Sequence, residues 1–73
     1  MLEALCGIRD ARAKAAKETG EQWRIDEVNL IDRIIHTGSA CQIFDALDVL
    51  SCGEYTGPSS LVELEIILED AAP

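Results

Sequence analysis

This sequence predicts an all-α fold, a compact bundle of three to four short helices. Three observations carry that expectation. Apolar residues recur at three- and four-residue steps along most of the chain. Three capping-box patterns, Thr19–Gln22, Ser39–Gln42 and Ser60–Glu63, stand at the start of such runs. Glycines and a Gly57-Pro58 pair punctuate the intervals.

Leu2 to Glu18 reads as the first helix. Leu5, Ile8, Ala11 or Arg12, and Ala15 supply a stripe narrowed by alanine, which suits close approach of a second helix. Ala11 to Lys17 has high helix propensity, Gly7 interrupts the pattern, and Arg12, Lys14 and Lys17 sit near the end where cations complement the helix dipole. After Thr19-Gly20, a second helix is expected from about Glu21 or Glu27 to Ile35, started by Thr19 with Gln22 or by Asp26. Its stripe is Ile25, Val28, Ile31 and Ile35, widened by Leu30 and Ile34. Its β-branched content means packing, not propensity, must hold it. Gly38 is expected to end it in the left-handed conformation.

From the Ser39–Gln42 box a third helix follows. Ile43, Phe44, Leu47 and Leu50 are expected on its apolar face, with Gln42, Asp45 and Asp48 opposite. Gly53 to Pro58 is the clear loop. Ser60 to Asp70 is ambiguous: Leu61, Leu64 and Ile67 or Leu68 fit a helical face, whereas Val62, Leu64, Ile66 and Leu68 alternate as a strand does. A lone strand has nothing to pair with outside a dimer, so helix is favoured.

Length and composition set the energetic frame. The 73 residues imply a single domain, 48% of it apolar but with only Trp23, Phe44 and Tyr55 as aromatics, so aliphatic side chains must build the core. A core of that size supplies about 3–5 kcal/mol of net stability, and dimerisation or docking on a partner would add to it. No stretch approaches the roughly 18–20 apolar residues of a membrane span. The N-terminus lacks the basic start and apolar run of a secretory signal, and three cysteines in no framework spacing argue against a disulfide scaffold. The expectation is a complete cytoplasmic protein with reduced thiols.

Charge is distributed unevenly. Residues 1–39 hold seven acids and all six bases, a net of −1, whereas residues 40–73 hold seven acids and no Lys or Arg, a net of −7. Solubility alone is served as well by interspersed signs. Asp45 and Asp48, three apart, and Glu65 and Glu69, four apart, are like-charge pairs that destabilise a helix by about 0.2–0.5 kcal/mol each.

Candidate chemistry is sparse. Cys6, His36, Cys41 and Cys52 are zinc-type donors, but their spacing matches no zinc template, and the cysteines read as small semi-buried apolar residues. His36 at a helix end reads as a capping cation rather than the base of a cysteine nucleophile. The Gly53–Gly57 segment carries an acid and no lysine, which suits no phosphate. Arg9, Arg12, Lys14 and Lys17 cluster on the first helix, but a chain of net charge −8 lacks the positive footprint of direct nucleic-acid binding, and those bases are expected to pair with acids of other helices. No catalytic residue, cofactor or metal site is expected.

In size and charge, though in no residue motif, the chain is similar to the small acidic proteins of phages and mobile elements, anti-CRISPR proteins and DNA mimics among them. That likeness implies a protein-binding inhibitor or regulator whose acidic half, with Asp45, Asp48, Glu63, Glu65 and Glu69 foremost, occludes a basic, nucleic-acid-binding surface of a partner protein. The alternative is a homodimeric helical adaptor that uses the alanine face of the first helix and the broad stripe of the second, its acidic surface facing solvent.

Overall fold

Four helices account for nearly all of the described backbone in the computed structural model, which describes residues 2–51 and 57–69. They are α1 (Leu2–Thr19), α2 (Gln22–Thr37), α3 (Ala40–Ser51) and α4 (Ser59–Glu69), and no strand occurs among the described residues. The ambiguous C-terminal run is therefore helical. Its hydrophobic side, Leu64 and Ile67 with Ser60, packs inward on a core that a lone strand could not complete. The expectations for Cys52, for residues 53–56 of the loop and for Asp70 lie outside the described residues.

The core is aliphatic. Leu5 of α1, Ile31 and Ile34 of α2, Ile43, Ala46 and Leu50 of α3, and Leu64 and Ile67 of α4 form one buried cluster, flanked by Ile8, Leu30, Ile35, Leu47, Val49 and Leu68. The Cα radius of gyration is 11.3 Å, close to the roughly 11 Å of a compact chain of this length. α1 and α2 pack most extensively, and α4 is held between α2 and α3. Alanine lets α1 and α2 approach: Ala16 is buried, while Ala11 is exposed, so the inward stripe is Leu5, Ile8, Arg12 and Ala16.

Local signals are used unevenly at the helix ends. The Ser39–Gln42 box forms as expected: the Gln42 amide N–H donates to Ser39 Oγ (3.3 Å) and the Ser39 N–H donates to Gln42 Oε1 (2.6 Å). The Thr19–Gln22 box does not form. Helix α1 continues through Thr19, whose hydroxyl donates back to the Ala15 carbonyl at 3.0 Å, so Glu21 becomes the N-cap of α2 without a side-chain cap bond. Asp26 lies inside α2, where it accepts from Gln22 Nε2 at 3.0 Å. The Ser60–Glu63 box is absent too, because α4 begins one residue earlier and the Ser60 hydroxyl is drawn into the core.

Among the described residues the left-handed glycines are Gly20 (φ 70°) and Gly57 (φ 69°), which end α1 and start the turn into α4. Gly38 is not left-handed but extended (φ −78°, ψ 150°), with its N–H donating to the Ile34 carbonyl at 2.8 Å. Glycine is required there for space: a Cβ would lie 2.5 Å from the Ile34 carbonyl oxygen.

Candidate functional site

One polar group lies deep among the helices. Glu27, on the inward side of α2, is only 2% exposed. Its Oε1 accepts from Arg12 Nη1 of α1 at 3.0 Å, and its Oε2 accepts from the hydroxyl of Ser60 at the start of α4. Arg12 Nη2 also reaches the Leu50 carbonyl of α3 (3.4 Å), and Ser60 Oγ lies 3.0 Å from the Gly57 carbonyl. The network thus ties all four helices together. Among the described residues no buried side-chain nitrogen or oxygen lacks a partner, which is the condition for a polar centre to be tolerated in a small core. Both carboxylate oxygens are thus engaged within the fold.

Of the remaining five bases, Arg9 and Arg24 are also engaged, whereas Lys14, Lys17 and Arg33 join no ion pair among the described residues. Arg9 donates to Asp32 at 2.9 Å and to Asp10 at 3.1–3.2 Å, and these hydrogen bonds, Asp32 first, hold its guanidinium even further above its ordinary pKa. Arg24 bonds Glu21 (3.1 Å) and stacks over the Trp23 ring, 4.6 Å from its centroid. The Trp23 indole N–H donates to the same carboxylate at 2.9 Å. That bond, followed by the one from Arg24, holds Glu21 below the usual carboxylate range. The expected pairing of α1 bases with acids of other helices is thus realised by Arg9 and Arg12. Lys14 and Lys17 are exposed.

The acids of the C-terminal half behave differently. Asp45, Asp48, Glu65 and Glu69 are exposed and Glu63 is half-buried, and none of the five joins an ion pair among the described residues. They do not form one continuous face. Asp45 and Asp48 lie on the outer side of α3, opposite buried Ile43, Ala46 and Leu50. Glu65 and Glu69 border a groove against α2, across from Arg33, whereas Glu63 lies on another side of α4.

Two residues of α3 are inverted relative to the sequence expectation. Gln42 is buried rather than aligned with Asp45 and Asp48, because its Nε2 donates to the Ile67 carbonyl at 2.9 Å in addition to its capping bond. Phe44 is not in the core: it is 62% exposed, between Cys41 and Asp48 on the outer surface. The core side of α3 is centred on Ile43, Ala46 and Leu50, and Phe44 falls more than a quarter-turn away from each of them. Ile25, placed in the α2 stripe by its spacing, is likewise among the exposed hydrophobics. The signal that sequence reasoning missed is the central one. Glu27, three and four residues from Leu30 and Ile31, occupies a position of the inward stripe, and that spacing marks it as a candidate for burial.

The zinc-type donors are not assembled. Cys6 is half-buried on α1, Cys41 is exposed on α3 rather than semi-buried, and both are free thiols. His36, in the last turn of α2, lies 3.4 Å from Asp32. No group of three His, Cys, Asp or Glu among the described residues is placed to hold a metal ion, and no helix there is long and apolar enough to cross a membrane. Comparison with protein-family models, with curated proteins and with solved structures finds no match to this chain.

Proposed function

We propose that this protein is a non-enzymatic, cytoplasmic protein-binding inhibitor or regulator, of the kind carried by phages and mobile elements, that covers a basic, nucleic-acid-binding surface of a partner protein with its acidic C-terminal half. The observation that carries the reading is the division of labour among charges. Arg9, Arg12 and Arg24 are engaged within the fold, while Asp45, Asp48, Glu65 and Glu69 stand exposed on two helices that contain no base. Unpaired acids of one sign give a surface that attracts a Lys/Arg-lined partner and repels nucleic acid itself. Exposed Phe44, next to Asp45 in sequence and about one turn before Asp48 on α3, supplies an aromatic of the type enriched at protein contacts.

The test is neutralisation of the surface without touching the core. A variant carrying Asp45→Asn, Asp48→Asn, Glu63→Gln, Glu65→Gln and Glu69→Gln keeps its helical circular dichroism. It loses affinity for the partner recovered from the native host, and it no longer competes with nucleic acid on that partner. Full binding and competition by this variant would refute the mechanism.

A further inference from the structure

Two adjoining depressions run between α2 and α4 and share Leu30, Arg33 and Glu65. One extends toward Leu68 and Glu69, with a volume of about 440 Å³. The other extends toward Leu61 and Asp26, with about 250 Å³. Leu61 and Leu68 are two helical turns apart, so the combined groove has an apolar floor about 10 Å long.

The rim is acidic. Asp26, Glu65 and Glu69 face the groove against a single base, Arg33. A leucine floor with a net negative rim is complementary to a helix that carries apolar side chains one turn apart and Lys or Arg beside them. It is poorly complementary to a second copy of this chain. Pairing α4 with itself brings the acid-only C-terminal halves together, seven acids from each and no base.

We propose that the α2–α4 groove is a docking site for a cationic amphipathic helix of a partner protein. This rests on the reading that the partner is basic, and it adds what the contact requires: apolar anchors seated on Leu30, Leu61 and Leu68, with partner cations at Glu65 and Glu69.

The probe is a synthetic amidated peptide of about eighteen residues, five helical turns, with Leu at three- and four-residue steps and Lys elsewhere. A Ser/Lys peptide of equal charge is the control. The expected result is saturable binding of the Leu/Lys peptide at low salt, with amide shift changes confined to α2 and α4. The Ser/Lys peptide should bind at least about tenfold more weakly. Leu61→Gln and the pair Glu65→Gln, Glu69→Gln should each weaken the Leu/Lys peptide about tenfold, while Asp45→Asn with Asp48→Asn leaves it within about twofold. Equal binding of the two peptides, or shift changes centred on α3, would overturn the groove and leave the acidic-surface function standing. Concentration-dependent self-association that perturbs the groove without peptide would overturn it in favour of a second copy. If Leu61→Gln loses helical signal, the glutamate pair, whose side chains are exposed, decides the question alone.

Discussion

Truncating Arg12 should damage this fold far more than replacing the acid it pairs with. Glu27 is 2% exposed and its two oxygens are satisfied by Arg12 Nη1 at 3.0 Å and by the Ser60 hydroxyl. Arg12→Ala leaves a buried carboxylate with one partner, and breaking a buried pair in this way costs about 3–5 kcal/mol. The Arg12 side chain is 34% exposed, so water can reach part of the vacated space, and the expected cost falls to about 2–3 kcal/mol. In a domain with about 3–5 kcal/mol in total, that lowers the thermal midpoint by about 10–20 °C and leaves the chain close to half-unfolded at moderate temperature.

Glu27→Met is the opposite case. Arg12 keeps the Leu50 carbonyl and solvent, Ser60 keeps the Gly57 carbonyl, and an apolar side chain of similar volume enters an aliphatic core. The change in stability should be within about 1 kcal/mol of zero, of either sign. The double variant should then be much less impaired than Arg12→Ala alone, a coupling of about 2 kcal/mol. Urea unfolding followed by circular dichroism and by the fluorescence of Trp23, the sole tryptophan, measures all three. If Glu27→Met costs as much as Arg12→Ala, or Arg12→Ala costs less than about 0.5 kcal/mol, the network does not hold the helices as described.

Three further outcomes follow from the geometry. Gln42→Ala removes a cap bond and the donor to the Ile67 carbonyl in a buried setting, so it should cost about 1–3 kcal/mol by urea midpoint, whereas exposed Gln22→Ala should cost less than about 0.5. The two glycine-to-alanine changes should have opposite signs in a thermal melt: Gly7→Ala, in open space within α1, stabilises by about 0.5–1 kcal/mol, and Gly38→Ala, with its Cβ 2.5 Å from the Ile34 oxygen, destabilises by about 1–3. Finally, Glu21 is held below the ordinary carboxylate range by Trp23 and Arg24, so its ionised form contributes stability that is present at neutral pH and lost as pH falls through its folded-state value. Trp23 fluorescence should therefore show an acid transition below the ordinary glutamate range, and Glu21→Gln should abolish it.

Helix number, order and approximate limits were legible because they depend on near neighbours in sequence. Apolar steps of three and four residues, the Ser39–Gln42 box and the Gly57-Pro58 turn each act within a few residues, and each appears where its pattern stands. The segment Ser59–Glu69, whose pattern allows helix or strand, became helical because neighbouring helices offer it a core to face and no strand partner exists among the described residues. Capping patterns competed less predictably: Thr19 and Ser60 both carry the right side chain, but one was absorbed by a longer α1 and the other by Glu27.

Of the candidate surface, the sequence by itself determined the sign and place of the charge, since the absence of Lys and Arg after Arg33 is a matter of composition. The exposure of Asp45, Asp48, Glu65 and Glu69 accords with their polarity. The sequence pattern placed Leu5, Ile31, Ile43, Leu50 and Leu64 inward, and tertiary structure decided the final rotation of each helix. A helix has one inward direction, fixed by where its neighbours sit, and every side chain follows that rotation whatever its own preference. On α3 that rotation carried Gln42 inward to the Ile67 carbonyl and left Phe44 in solvent. On α2 it buried Glu27, which is stable there only because a guanidinium fifteen residues before it and a hydroxyl thirty-three residues after it converge on its two oxygens. A local pattern carries no record of partners that distant, so the polar centre of the fold and its exposed aromatic emerge only when the four helices are brought together.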